Sequence, residues 1–322
     1  MSATATTTTS TTLNGSPQPA RRMALDGRPT AYGDFRDDLN RDGYAVIKGA
    51  IPLERAEKYS NAFYDYLEGF ELGYRRDDPS TVKQSNLPVI NEKGMILSYG
   101  VTHEQWVWDI RGEPGVVEFF ERVYDDKDLA VSFDVVNVQF SKLSDSHKDR
   151  PQKRVFDSNP WPHQDQDPSK PGSRCLQGLV SLNPSGPDDG GLIVCAGGHK
   201  VSEQFHREMA DEPRIPAWTP EWFGFTESGM TWLRDNGLQW VKVCADPGDL
   251  IVWDSRTPHY NVPPEGRKRL LERLGTTHWP NAVHVALTSV AMGDGKPCPK
   301  SRDRPAQDPV LNARTYRLMG VP

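Results

Sequence analysis

His163 and Asp165 stand two residues apart in the run WPHQDQDP (161–168), and His259 lies near the end of the later run PGDLIVWDSRTPHYN (247–261). On an extended strand, side chains at i and i+2 leave by the same face, so the imidazole of His163 and the carboxylate of Asp165 can converge on one point. His259 follows the strand-like stretch Asp249 to Trp253. Two histidines and one carboxylate that leave coordination positions open form a facial donor set suited to non-haem iron(II). His163, Asp165 and His259 are therefore the candidate metal ligands and catalytic centre. The bland alternative is a buried His163–Asp165 hydrogen bond with His259 on the surface. A deep imidazole–carboxylate cluster more often means metal or catalysis. Gln164, between the two ligands, should point to the opposite side of the strand. His103, His147, His206, His278 and His284 have no partner at metal spacing, His199 in GGHK reads as structural, and Trp253 reads as core.

The elements that must position these residues follow from periodicity. Asp34 to Leu39 reads as a short helix and Tyr44 to Ile47 as a strand ended by Gly49 and Pro52. Ala56, Tyr59, Phe63 and Leu67 recur at steps of three and four, which predicts an amphipathic helix from Pro52 to Gly69. A second helix is expected from Val116 to Tyr124. After residue 128 the pattern changes to short strands: the run AVSFDVVNVQFS, then Leu176–Leu182, Leu192–Cys195, Trp240–Cys244 and Leu250–Trp253. Turn signals between them, such as Pro184 to Gly191 and Pro247-Gly248-Asp249, complete the pattern. The fold class this predicts is mainly β with N-terminal helices, a double-sheeted jelly roll. Met209 to Asn236 is a long polar, Trp-rich insertion that reads as a lid or as surface padding. Residues 1–31 form a Ser/Thr-rich tail expected to be disordered, with too few apolar side chains to offset the entropy of ordering, and 32–322 form one domain.

Composition removes several function classes. The 322 residues carry a net charge of −6 and a pI near 5.8, which argues against a phosphate-binding surface and so against nucleic acid. The four cysteines contain no CxxC pair, which fits a reduced intracellular protein. No apolar run approaches the roughly 18 residues of a membrane span. A cytoplasmic protein acting on a small-molecule substrate is the expectation, and a homodimer is left open. Arg21-Arg22, with no acid before Asp26, also leaves a mitochondrial-transit reading open.

Taken in order, several segments resemble one family. RDGYAVIKGAIP, VWDIRGEPGVVEFFERVY, LAVSFDVVNV, WPHQDQ, LVSLNPSGPDDGGLIVCAGGHK and GDLIVWDSRTPHYN are similar to the phytanoyl-CoA dioxygenase-like Fe(II)/2-oxoglutarate oxygenases, especially their fungal branch in secondary metabolism. The resemblance covers roughly residues 35–265. It implies a double-stranded β-helix with iron on His163, Asp165 and His259, and 2-oxoglutarate and O2 as co-substrates. The reaction it implies is oxidation of a C–H bond: hydroxylation, desaturation or rearrangement. Related halogenating enzymes replace the acid by a small residue, so Asp165 disfavours halogenation. The family also carries an arginine for the distal carboxylate of 2-oxoglutarate, at a distance after the second histidine where Arg269 falls, with Arg267 and Arg273 as competitors. The text around it, GRKRLLERLGTTHWP, reads as helix, and the next apolar strand is expected from Val283 to Met292. Trp106 and Arg111 match a segment that in the family faces the active-site mouth, and helix packing explains them nearly as well. Two rival readings remain: a cupin-like metalloprotein that does not use 2-oxoglutarate, and a non-catalytic jelly-roll binding protein.

Overall fold

The computed structural model describes residues 11–12, 23, 30–91, 93–140, 161–217, 219–262, 271–275, 278–280 and 304–320. Its helices of more than one turn are α1 Phe35–Asp42, α2 Leu53–Glu68, α3 Gln105–Arg111, α4 Pro114–Tyr124, α5 Gly198–Glu208, α6 Glu227–Asp235 and α7 Ala313–Leu318. The strands run β1 Thr11–Thr12, β2 Tyr44–Lys48, β3 Met95–Ile96, β4 Leu129–Val131, β5 Val136–Gln139, β6 His163–Gln164 and β7 Leu176–Ser181. They continue with β8 Gly191–Ala196, β9 Phe223–Gly224, β10 Gln239–Lys242, β11 Leu250–Asp254, β12 His259–Val262, β13 Leu271–Gly275 and β14 His278–Pro280. No helix among the described residues is long and apolar enough to cross a membrane.

Two sheets carry the architecture. The larger has the order β1-β2-β11-β7-β13-β5-β3 and the smaller β10-β8-β12-β6-β9, with β14-β4 as a separate pair. The central strands of the larger sheet are buried on both faces, so they read as continuous apolar runs. Alternation then sorts their side chains between two cores. Ala45, Ile47, Val180, Leu250 and Val252 face the N-terminal helices and pack with Phe63, Phe119 and Phe120. Val46, Leu179, Ile251 and Trp253 face the smaller sheet and meet Leu192, Val194 and Val241. This is the double-stranded β-helix expected from the strand pattern, with helices on the outside of one sheet. The periodic residues of α2, Ala56, Tyr59, Phe63 and Leu67, are all buried on one face.

One expectation changes. The stretch after His259, expected as helix, holds strand β13, antiparallel to β5 and β7. Leu-Glu-Arg-Leu has helical propensity, but the slot between two strands supplies ladder partners on both sides, and tertiary context overrides a weak local preference. Trp106 and Arg111 are packing residues. Trp106 stacks edge-on against Phe63 and Tyr66, while the fully buried Arg111 guanidinium donates to the carbonyls of Thr102 and Asp134. Within the N-terminal 31 residues, Met23 is buried in the helical core with its N–H on the Val123 carbonyl, and Thr11–Thr12 pairs in parallel with Ile47–Lys48. The expected strand Val283–Met292 lies outside the described residues.

Candidate metal centre

The smaller sheet builds the site. His163 on β6 lies directly opposite His259 on β12 in the antiparallel register, which brings their ring centroids to 4.3 Å. Asp165 follows β6 and is held at the backbone by its N–H on the Ser255 carbonyl, 3.0 Å away. Its Oδ2 lies 3.7 Å from Nε2 of His163 and 3.4 Å from Nε2 of His259. One donor atom from each of the three residues falls within 4.8 Å of the others, a group able to hold a metal ion. Both histidines are buried, while 28% of the Asp165 side chain is exposed, so the opening of the site lies at the carboxylate.

Hydrogen bonds orient each donor. Nδ1 of His163 lies 3.1 Å from the Trp161 carbonyl and Nδ1 of His259 lies 2.9 Å from the Thr257 carbonyl. A carbonyl only accepts, so each Nδ1 carries the proton and each Nε2 presents a lone pair toward Asp165. Burial, followed by the neighbouring His163, lowers the pKa of His259 and keeps it in the neutral, ligating form. Burial by itself would raise the Asp165 carboxyl. The proximity of His163, followed by that of His259, outweighs it and holds the group well below the usual carboxylate range. The donor set is thus two neutral imidazole nitrogens and one carboxylate, which fits iron(II) with positions left open.

Sequence reasoning missed several side chains around this centre. Gln177 on β7 reaches across from the larger sheet, its Nε2 donating to Asp165 Oδ2 at 2.8 Å. Trp161 stacks on the His163 ring at 4.4 Å and 13°, and Trp222 lies 5.8 Å from it at 24°. Trp222 comes from the 209–236 insertion, which is more than padding: β9 pairs with β6, with Gly224 opposite His163. Gly224 is bare because a Cβ there would meet Trp222 Cη2 at 2.5 Å. Glu221 ties the insertion down by accepting from the Asp167 N–H and from Lys170. No spacing rule reveals Gln177 or Trp222, since each comes from a separate element, whereas Trp161 stands in the same run as His163. Gln164 points away as expected, its amide joining Gln166 and Ser202 of α5. His199 and Trp253 are buried as expected, the Trp253 ring lying 5.2 Å from that of His259. Arg269 and Arg267 lie outside the described residues, whereas Arg273 is in β13.

The sheet topology, the helical layer and the histidine–carboxylate site together define a double-stranded β-helix metalloenzyme. The chain belongs to the phytanoyl-CoA dioxygenase (PhyH) family, whose model matches residues 39–263. It is accordingly an Fe(II)- and 2-oxoglutarate-dependent dioxygenase. Among known proteins it is similar to Ava biosynthesis cluster protein O of Aspergillus versicolor, 36% identical over 259 residues, covering 79% of this chain and 80% of that one. In fold it resembles hypothetical protein JW0805 from Escherichia coli, with a TM-score of 0.54 at 15% identity, covering 88% of this chain and 80% of the other. EvdO2 from Micromonospora carbonacea, solved with 2-oxoglutarate, overlaps 80% of this chain and 94% of its own, with a TM-score of 0.45 at 17% identity.

Proposed function

We propose that this enzyme oxidises a C–H bond of a small organic molecule in secondary metabolism, with Fe(II) on His163, Asp165 and His259. The observation that carries the reading is the convergence of the three donors with both Nδ1 protons already committed to carbonyls. The similarity to a protein of an Aspergillus biosynthesis cluster supports the metabolic setting. When bound, iron and 2-oxoglutarate supply an O2-derived oxidant that removes hydrogen from the substrate. The chain's part is geometry. Gln177 holds the Asp165 carboxylate in one orientation, and Trp161 and Trp222 lie against the His163 ring with apolar surface. Asp165 would supply to the metal the carboxylate that a halogenating relative lacks, which favours hydroxylation, desaturation or rearrangement over halogenation.

We assign the distal carboxylate of 2-oxoglutarate to Arg273 in preference to Arg269. Residue 273 pairs with Ser181 of β7 and with Asn137 of β5. Ser181 shares a strand face with Gln177, which touches Asp165, and with Leu179, which packs between the sheets. Register position 273 therefore belongs to the face that carries the site. Ser181 lies four residues from Gln177, about 13 Å along the strand, a span suited to an extended dicarboxylate plus an arginine. An arginine suits that role because its fork matches a carboxylate with two parallel hydrogen bonds.

Anaerobic titration tests the whole reading. Adding Fe(II) and then 2-oxoglutarate should produce a metal-to-ligand charge-transfer band that His163→Ala abolishes. Iron uptake with no response to 2-oxoglutarate would hand the site to the cupin-like rival. No iron uptake would leave only a binding protein. Succinate release across candidate metabolites, with product mass, then identifies the substrate.

A further inference from the structure

We propose that the buried Asp254–Arg256 ion pair is a positioning device for the metal site, an inference that rests on the assignment of the triad above. The two side chains are bonded to each other and to no metal ligand. The Asp254 carboxylate accepts from the Arg256 backbone N–H at 2.9 Å, from Nε at 3.0 Å and from Nη2 at 2.9 Å. Both residues are buried, Asp254 4% and Arg256 8% exposed. As a source of stability such a pair is poor, because desolvating two charges offsets most of their attraction. Its effect on shape is direct, since three donors on one carboxylate close the turn from Asp254 to Thr257, with Thr257 N–H on the Asp254 carbonyl at 2.8 Å.

That turn carries the partners of two of the three ligands. The Ser255 carbonyl takes the Asp165 N–H and the Thr257 carbonyl takes Nδ1 of His259. The Ser255 hydroxyl donates to Gln166 at 2.9 Å, in the segment that carries Asp165. A second anchor holds the turn from outside. The Gly43 carbonyl accepts from Asp254 N–H at 2.9 Å and from the Thr257 hydroxyl at 3.0 Å. Gly43 caps α1 at φ +78°, and a Cβ there would meet Thr257 Oγ1 at 2.6 Å and collide with His199. A turn pinned on both sides fixes the angle at which Asp165 and His259 approach each other, and the β6–β12 pairing then brings in His163.

The test uses Co(II) alone as probe on the full chain, with Arg256→Lys and the double variant Asp254→Asn with Arg256→Met. The double variant removes both charges, so it should melt within a few degrees of wild type. It should nevertheless bind Co(II) about 10- to 100-fold more weakly, the scale seen when groups that orient metal ligands are lost, with an altered visible ligand-field spectrum. Arg256→Lys keeps the charge but not the fork and should fall between. A folded double variant with wild-type Co(II) affinity and spectrum overturns the proposal. Should the double variant fail to fold, Arg256→Lys decides: intermediate affinity supports the proposal and wild-type affinity overturns it. His163→Ala separates the two levels of argument. If it abolishes Co(II) binding while both Arg256 variants bind normally, only the positioning role falls. If it binds Co(II) as wild type does, the triad assignment falls as well.

Discussion

At the scale of single residues, the ligands and their orienting bonds define the first prediction. His163→Ala, Asp165→Ala and His259→Ala should each fold yet lose Fe(II) affinity and turnover, because two remaining donors leave the site incomplete. Metal analysis of the purified variants checks this, and an Asp165→Ala protein with wild-type iron content and turnover would remove the carboxylate from the ligand set. A second prediction concerns His199. Burial pushes its pKa down to about 4, against about 6.5 in an unfolded chain. Between those values the unfolded chain binds a proton that the folded chain refuses. Stability should therefore fall as pH drops from about 6.5 to about 4 and lose nothing further from this group below that, a loss of at most about 3 kcal/mol. His199→Gln should flatten that part of the profile of urea midpoint against pH. Parallel profiles for the two proteins would show that His199 is not held neutral.

At the scale of elements, the strands that flank the site depend on turns and registers. Gly248 sits at φ +89° in the turn before β11, and a Cβ there would run into the Ile51 carbonyl oxygen. The Ile51 N–H in turn donates to the Gly248 carbonyl at 2.9 Å. Gly248→Ala should cost about 2–4 kcal/mol, from the left-handed backbone and the collision together, read by chemical denaturation. A wild-type midpoint would mean that this turn is not the close contact described. The register of β13 makes the next prediction. Arg273→Ala should raise the KM for 2-oxoglutarate by about thirtyfold to several thousandfold, corresponding to about 2–5 kcal/mol for a lost charge-assisted pair, with iron binding intact. Arg273→Lys should restore only part of it. If Arg269→Ala carries the loss and Arg273→Ala is silent, the anchor precedes β13.

At the scale of the molecule, the chain beyond the family match returns to brace the helical layer. Ala306 N–H donates to Glu104 at 2.9 Å, Val310 N–H to Gln105 at 2.6 Å, and Arg314 pairs with Glu121 at 2.6 Å. Leu318 is buried in the helical core, and the backbone at Arg304 and Pro305 presses on Gly100. Truncation before Arg304 should cost about 3 kcal/mol or more, from the lost apolar burial and the buried partners left unpaired. Because the segment packs on α3 and α4 rather than on the smaller sheet, Fe(II) affinity measured well below the melting temperature should change little. An unchanged melting temperature would show that the segment contributes nothing to the core.

The residue types with unusual chemistry were legible from the sequence alone, since only a few positions pair histidine and acid at strand spacing, and His163, Asp165 and His259 do meet. The α2 helix was legible for a similar reason: its apolar period is local and needs no knowledge of what it packs against. Tertiary structure decided the rest. Gln177, Trp222 and the Ser255–Thr257 carbonyls reach the site from separate elements, and their contacts depend on strand register and sheet order, which no local pattern encodes. Leu271–Gly275 is strand because two open edges flank it, against its own helical preference. Arg111 and Trp106 read in sequence as either site or packing residues, and burial places them in the core. Composition and spacing report what a side chain can do, whereas burial and register, which are properties of the assembled chain, decide whether it meets the partners it needs to do it.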